Sequence, residues 1–258
     1  MKALRGWLGA LMVVSLPVCG MNVLDLAPGM QVEGEIQFNQ SHYPLPKGEW
    51  TVVLATKGEG TIPQGRNQVA TFKVANVLLA HTQQGQLVAL LRFRGNATAF
   101  PPTGIRGWKD DPCNRAQRNL YLLNAYDGSF SFPECLTTQP VYGFAYSNDA
   151  YFGTVTHWLT QHGISVPGTL LYSNYSRYGR AQFMQTSLWI SPSAFGYQDD
   201  DQRLKDLNKW TAGGVAADNI PLVEALNDLS GHYADALHHA FDGEAAPAVD
   251  LGVLKRVR

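Results

Sequence analysis

The chain has 258 residues, 45% of them hydrophobic and 16% charged, with a formal net charge of −1. That balance excludes intrinsic disorder, which needs few apolar residues and high net charge. It also excludes a nucleic-acid surface, because no stretch carries a basic stripe. With 25 Gly, 14 Pro and 11% aromatic residues, the composition is that of a β-rich globular protein.

The N-terminus reads as a secretory signal over residues 1–20. Lys2 and Arg5 precede an apolar run at 7–16, and Pro17, Val18, Cys19 and Gly20 follow. A run of about ten residues is too short to cross a bilayer core of ~30 Å, which takes ~20 residues as a helix. Cutting after Gly20 puts Gly20 and Val18 at the two positions where signal peptidase requires small residues. A rival reading makes Cys19 a lipidated N-terminus, but Val18 and Pro17 both depart from that pattern. The expected address is periplasmic or secreted. No later stretch is long and uncharged enough to span a membrane as a helix.

Removing the signal removes Cys19 and leaves Cys113 and Cys135. In an oxidising compartment an even pair is expected to form a disulfide. The rest of the chain is expected to be a single α+β domain over residues 21–242, followed by a C-terminal tail over 243–258.

Residues 30–38 alternate Val32, Gly34, Ile36 and Phe38 against Glu33, Glu35 and Gln37, the pattern of a strand with one wet face. The segment 42–48 carries two prolines two residues apart and is expected to be a turn. Strands are expected at 50–56, 68–80 and 86–93, the last two forming a hairpin with its tip at 81–85. Residues 95–119 form a long irregular segment whose far end the disulfide would fasten at Cys113. Strands follow at 120–126 and 141–146.

Helical signals begin at Asp149, which can cap a helix ending near His162 and Gly163. A second hairpin is expected from 168–174 and 180–190. Asp199, Asp200 and Asp201 can open a helix that stops near Gly213. The last helix runs from Pro221 to Phe241 with Leu222, Leu226, Leu229, Tyr233 and Leu237 as one apolar stripe. Strands first and helices later predict an α+β fold, a mostly antiparallel β-sheet or sandwich with helices packed on it.

Chemistry is sparse. His232, Asp235 and His239 share one helical flank at spacings of 3 and 4, a donor set suited to Zn²⁺. Tyr172, Tyr175 and Tyr178 cluster on the second hairpin and could stack on sugar rings or meet a protein partner. No nucleophile elbow, phosphate loop or EF-hand pattern is present. The expectation is an exported accessory or binding protein of the cell envelope, its partner an envelope protein or a glycan. The alternative is a secreted hydrolase with a dispersed or metal-dependent active site.

Overall fold

The structure, a computed structural model, describes residues 19–63, 69–99, 113, 119–127, 132–142, 150–180, 182–197 and 209–255. Ten strands form one sheet: β1 (Cys19–Asn22), β2 (Gln31–Phe38), β3 (Ser41–Pro44), β4 (Trp50–Pro63), β5 (Val69–Gln83), β6 (Gln86–Asn96), β7 (Leu122–Asp127), β8 (Glu134–Tyr142), β9 (Thr169–Tyr178) and β10 (Phe183–Ile190). Among the described residues two α-helices accompany it, α1 (Ala150–Gln161) and α2 (Ile220–Phe241). The fold is therefore sheet-dominated. Among the described residues no helix is long and apolar enough to cross a membrane.

The spatial order is β1-β2-β4-β5-β6-β10-β9-β8-β7, with β3 also paired to β2. Two antiparallel meanders, β4-β5-β6 and β7-β8-β9-β10, meet where β6 pairs with β10. Among the described strands, β1 alone runs parallel to its neighbour. The β5–β6 turn places Gln84 and Gly85 at positive φ, which matches the right-handed strand twist.

Gly34 marks a corner in β2. Before it, Gln31 and Val32 pair with β4; after it, Glu35–Phe38 pair with β3. Its φ of +81° is a conformation that L side chains resist. Val32, Ile36 and Phe38 are buried as the alternation predicts.

Each strand alternates its side chains between two faces. The back face is covered by α2, whose Leu222, Leu226, Leu229, Tyr233 and Leu237 are all buried against Val77, Leu91, Phe93 and their neighbours. The front face is apolar at one end, where Val155 and Leu159 of α1 pack on Leu78, Leu90, Leu170 and Trp189. Toward the other end it turns polar.

Four elements depart from the sequence reading. The segment expected to be a turn contains β3, because an edge strand tolerates Pro44 where a central one would not. Strand β8 begins at Glu134, ahead of the strand expected at 141–146; its Thr137, Thr138 and Pro140 disguise it. Strand β9 continues through Tyr178, so the hairpin turns at 179–182. Residues 243–255, read as a tail, pack on the domain: Val249, Leu251 and Leu254 are buried, and the Lys47 N–H donates to Val249 O at 2.9 Å. Most of the helix expected after Asp199 falls at 198–208, outside the described residues.

Candidate functional site

The polar part of the front face is built from five adjacent strands. Register places Thr56, Asn76, Arg94, Gln185 and Ser176 on one rung, and Arg92, Ser187 and Asn174 on the next. At ~4.8 Å between strands this field spans roughly 19 Å from β4 to β9. It forms a trough of two neighbouring hollows. The larger, about 590 Å³, is bounded by Gly58, Phe72, Arg94, Tyr178 and Phe183; the smaller, about 240 Å³, by Tyr172, Asn174, Ser176 and Ser187. Arg92 borders both.

Hydrogen bonds lock these side chains into chains across the strands. Arg92 Nε donates to Asn76 Oδ1 at 2.6 Å, and Asn76 Nδ2 donates to Thr56 Oγ1 at 3.3 Å. Arg94 Nη1 donates to Gln185 Oε1 at 3.0 Å, and Gln185 Nε2 donates to the Tyr178 hydroxyl oxygen at 2.6 Å. Ser187 Oγ donates to Asn174 Oδ1 at 3.1 Å, while Asn174 Nδ2 donates to Ser176 Oγ at 3.2 Å. The Tyr172 hydroxyl lies 3.3 Å from Ser187 Oγ. Burial pushes the Tyr172 phenol above its ordinary range, so it stays neutral. Such a network fixes rotamers before any ligand arrives.

An aromatic wall closes the far end. Tyr178 and Phe183 stack at 5.8 Å, and Phe72 joins them. Phe72 lies over Gly60, where a Cβ would come within 2.3 Å of Cζ. Arg94 stands 6.0 Å from the Phe183 centroid.

The disulfide places Cys113 on this same face. Cys135 is opposite Ser176 on β9, and Cys113 is bonded to it with Cα atoms 5.7 Å apart.

A second cluster sits on the back face where α2 ends. Glu134, only 8% exposed, takes the Tyr175 hydroxyl at 2.6 Å, His238 Nδ1 at 2.8 Å and Arg177 Nε at 3.2 Å. Arg177 also reaches Asp242 at 3.0 Å and the His238 carbonyl at 3.0 Å, and it stacks 4.6 Å from the Phe241 centroid. Burial and the Glu134 hydrogen bond hold the Tyr175 phenol far above its usual range. A histidine acting as general base needs one ring nitrogen turned to the proton it takes. Both nitrogens of His238 face carboxylates, Nε2 lying 3.4 Å from Asp242. The cluster clamps α2 to β8 and β9.

The sequence-derived site residues fare differently. Cys113 and Cys135 are bonded. His232, Asp235 and His239 are exposed on α2, and His239 Nδ1 is engaged by Glu244 Oε2 at 2.6 Å. Among the described residues no three His, Cys, Asp or Glu side chains are grouped to hold a metal ion. Tyr172, Tyr175 and Tyr178 form no exposed row. A spacing of 3 in a strand reverses the face, and Tyr175 and Tyr178 are 3% and 4% exposed on opposite sides of the sheet. Tyr172 and Tyr178 both border the trough, Tyr172 beside Ser187 and Tyr178 as part of its aromatic wall.

Sequence reasoning missed Arg92 and Arg94. Their signal was present: β6 alternates Leu90, Arg92 and Arg94 with Leu91, Phe93 and Gly95, two cations on one face. Glu134, Arg177, His238 and Asp242 come from three separate segments and leave no local pattern.

No family model matches the chain. No curated protein and no solved structure matches it either.

Proposed function

We propose that this is an exported binding protein of the cell envelope whose ligand lies in the front-face trough. The observation that carries the reading is the trough itself. A sheet face that α1 covers with apolar contacts at one end gives way to a field of amides, hydroxyls and two guanidinium groups, cross-linked into fixed positions. Concave sites with convergent, pre-set polar groups are where small ligands bind. Export is supported by the order of cationic, apolar and small residues over 1–20. A disulfide suits the oxidising compartment that such a leader implies.

Cleavage after Gly20 would leave Met21 and Asn22 of β1 on β2, opposite Ile36 and Gln37. Native mass spectrometry of the protein made with its own leader and recovered from the periplasm tests both halves. The expected mass begins at Met21, lacks two thiol hydrogens, and gains a small-molecule adduct from the low-molecular-weight fraction of an envelope extract. That adduct should vanish in the Asn174→Ala, Arg94→Gln double variant. A chain retained in the cytoplasm with its leader refutes the address. An adduct indifferent to the double variant, or none, refutes the trough.

A further inference from the structure

The charge pattern of the trough narrows its ligand, and this step rests on the binding reading above. Among the described residues, the front-face positions of β4, β5, β6, β10 and β9 along the trough include two guanidinium groups and no carboxylate. Glu59 reaches the rim from the opposite pleat of β4, as does Lys57, whose amine is turned to the Leu24 carbonyl.

Arg94 is exposed, and Gln185 is the acceptor it meets among the described residues. A guanidinium presents five donors in a fixed fork, and that single contact uses one of them. The amide below and the Phe183 ring beside it hold the fork in place. A braced, exposed fork suits a carboxylate, which it meets with two parallel hydrogen bonds. Arg92, two residues along the same face and about 7 Å away, adds positive potential.

Beyond the arginines the lining is neutral and bifunctional. Asn174, Ser187 and Gln185 each bond their neighbours yet keep further hydrogen-bonding capacity, since an amide carries two donors and two lone pairs. Sugar hydroxyls likewise donate and accept. Among the described residues the floor is set with amides, hydroxyls and guanidinium groups, which suits a hydroxylated ligand better than an acyl chain, and the chain-wide charge of −1 does not suit a polyanionic nucleic acid.

We propose that the trough takes an acidic saccharide, with its carboxylate on Arg94 beside Arg92 and its hydroxyls on Asn174, Ser187 and Gln185.

The test is a calorimetric and NMR titration of the mature, oxidised chain. The probes are short oligomers of galacturonate, glucuronate and mannuronate, N-acetylneuraminate, the neutral counterpart of each, and inorganic phosphate. At least one acidic saccharide should bind, with amide shifts centred on Arg92, Arg94, Asn174 and Ser187. Its neutral counterpart should bind at least tenfold more weakly. Arg94→Gln should weaken the acidic ligand by roughly tenfold or more, the worth of a charge-assisted pair of hydrogen bonds. The same variant should weaken the neutral counterpart by a much smaller factor than the acidic ligand.

Equal binding of acidic and neutral sugars, lost in Asn174→Ala but not in Arg94→Gln, overturns the acidic inference and keeps the binding site. Phosphate binding as tightly as any saccharide overturns the saccharide part, leaving a simple anion site. No shift at the trough with any probe overturns the inference; if the envelope-extract adduct is absent too, the binding reading falls with it.

Discussion

Replacing Glu134 with alanine should loosen the grip of α2 on the sheet. The carboxylate is 8% exposed and takes three partners, Tyr175, His238 and Arg177. Removing one member of a buried charge pair costs about 3–5 kcal/mol when the other is stranded. Arg177 is not stranded: Asp242 and the His238 carbonyl remain at 3.0 Å, and its side chain is 17% exposed. The low end applies, about 3 kcal/mol. For a chain of this size that is a fall in Tm of roughly 6–12 °C. Glu134→Gln keeps an acceptor for the Tyr175 hydroxyl and should lose about half as much. Differential scanning calorimetry at neutral pH gives both numbers. A double-mutant cycle with Arg177→Met should return a coupling above ~1 kcal/mol. Two single variants within ~0.5 kcal/mol of wild type, or a cycle with no coupling, would refute the clamp.

Three further outcomes follow from particular contacts. Burial raises the phenols of Tyr43, Tyr121, Tyr175 and Tyr233 well above the ordinary value of 10.0. Their neutral forms therefore favour the folded state below pH ~10, and that contribution is lost as pH rises above it, by up to ~1.4 kcal/mol per pH unit for each group. Urea midpoints should fall progressively above that pH; if all 11 tyrosines ionise together near pH 10 in the folded chain, the burial account is wrong. Gly60→Ala pushes a methyl against Phe72 and should cost about 1–3 kcal/mol. Gly58→Ala, with nothing within 4 Å, should be near neutral. Equal urea midpoints for the two variants would contradict that packing. Changing Cys113 and Cys135 to serine removes a cross-link between positions 22 apart in sequence and should cost about 3 kcal/mol in the chain-entropy account. A melting temperature indifferent to reductant would argue against it.

Legibility followed periodicity. The stripe on α2 and the alternation in β2 each depend on one element meeting one core, so local pattern was enough. Strand β8 was hidden because its back-face neighbours include polar ones: Thr138 bonds Asn227 of α2, and Glu134 serves the clamp. Polar residues with partners supplied by distant elements look like loop when read alone. The same limit hid the trough. Arg92 and Arg94 were visible as two cations on one strand face, but their meaning depends on Gln185 and Ser187, about 90 residues away, lying beside them. The tyrosines misled in the opposite sense: near in sequence, they are divided by the pleat.

The pairing of β6 with β10 is also a seam in the order of events. Each meander closes through neighbours in sequence, whereas Arg92 opposite Ser187 demands a long loop closure, a slow kind of contact to form. Arg92, Arg94 and Asn76 belong to one meander; Gln185, Ser187 and Asn174 to the other. Neither meander alone holds a whole site. A bound ligand would lie across the join like a clasp, acting only on chains that have finished folding and shifting their balance by ~2.7 kcal/mol at a hundredfold excess over Kd. Occupancy of the trough would then double as a readout of completed assembly.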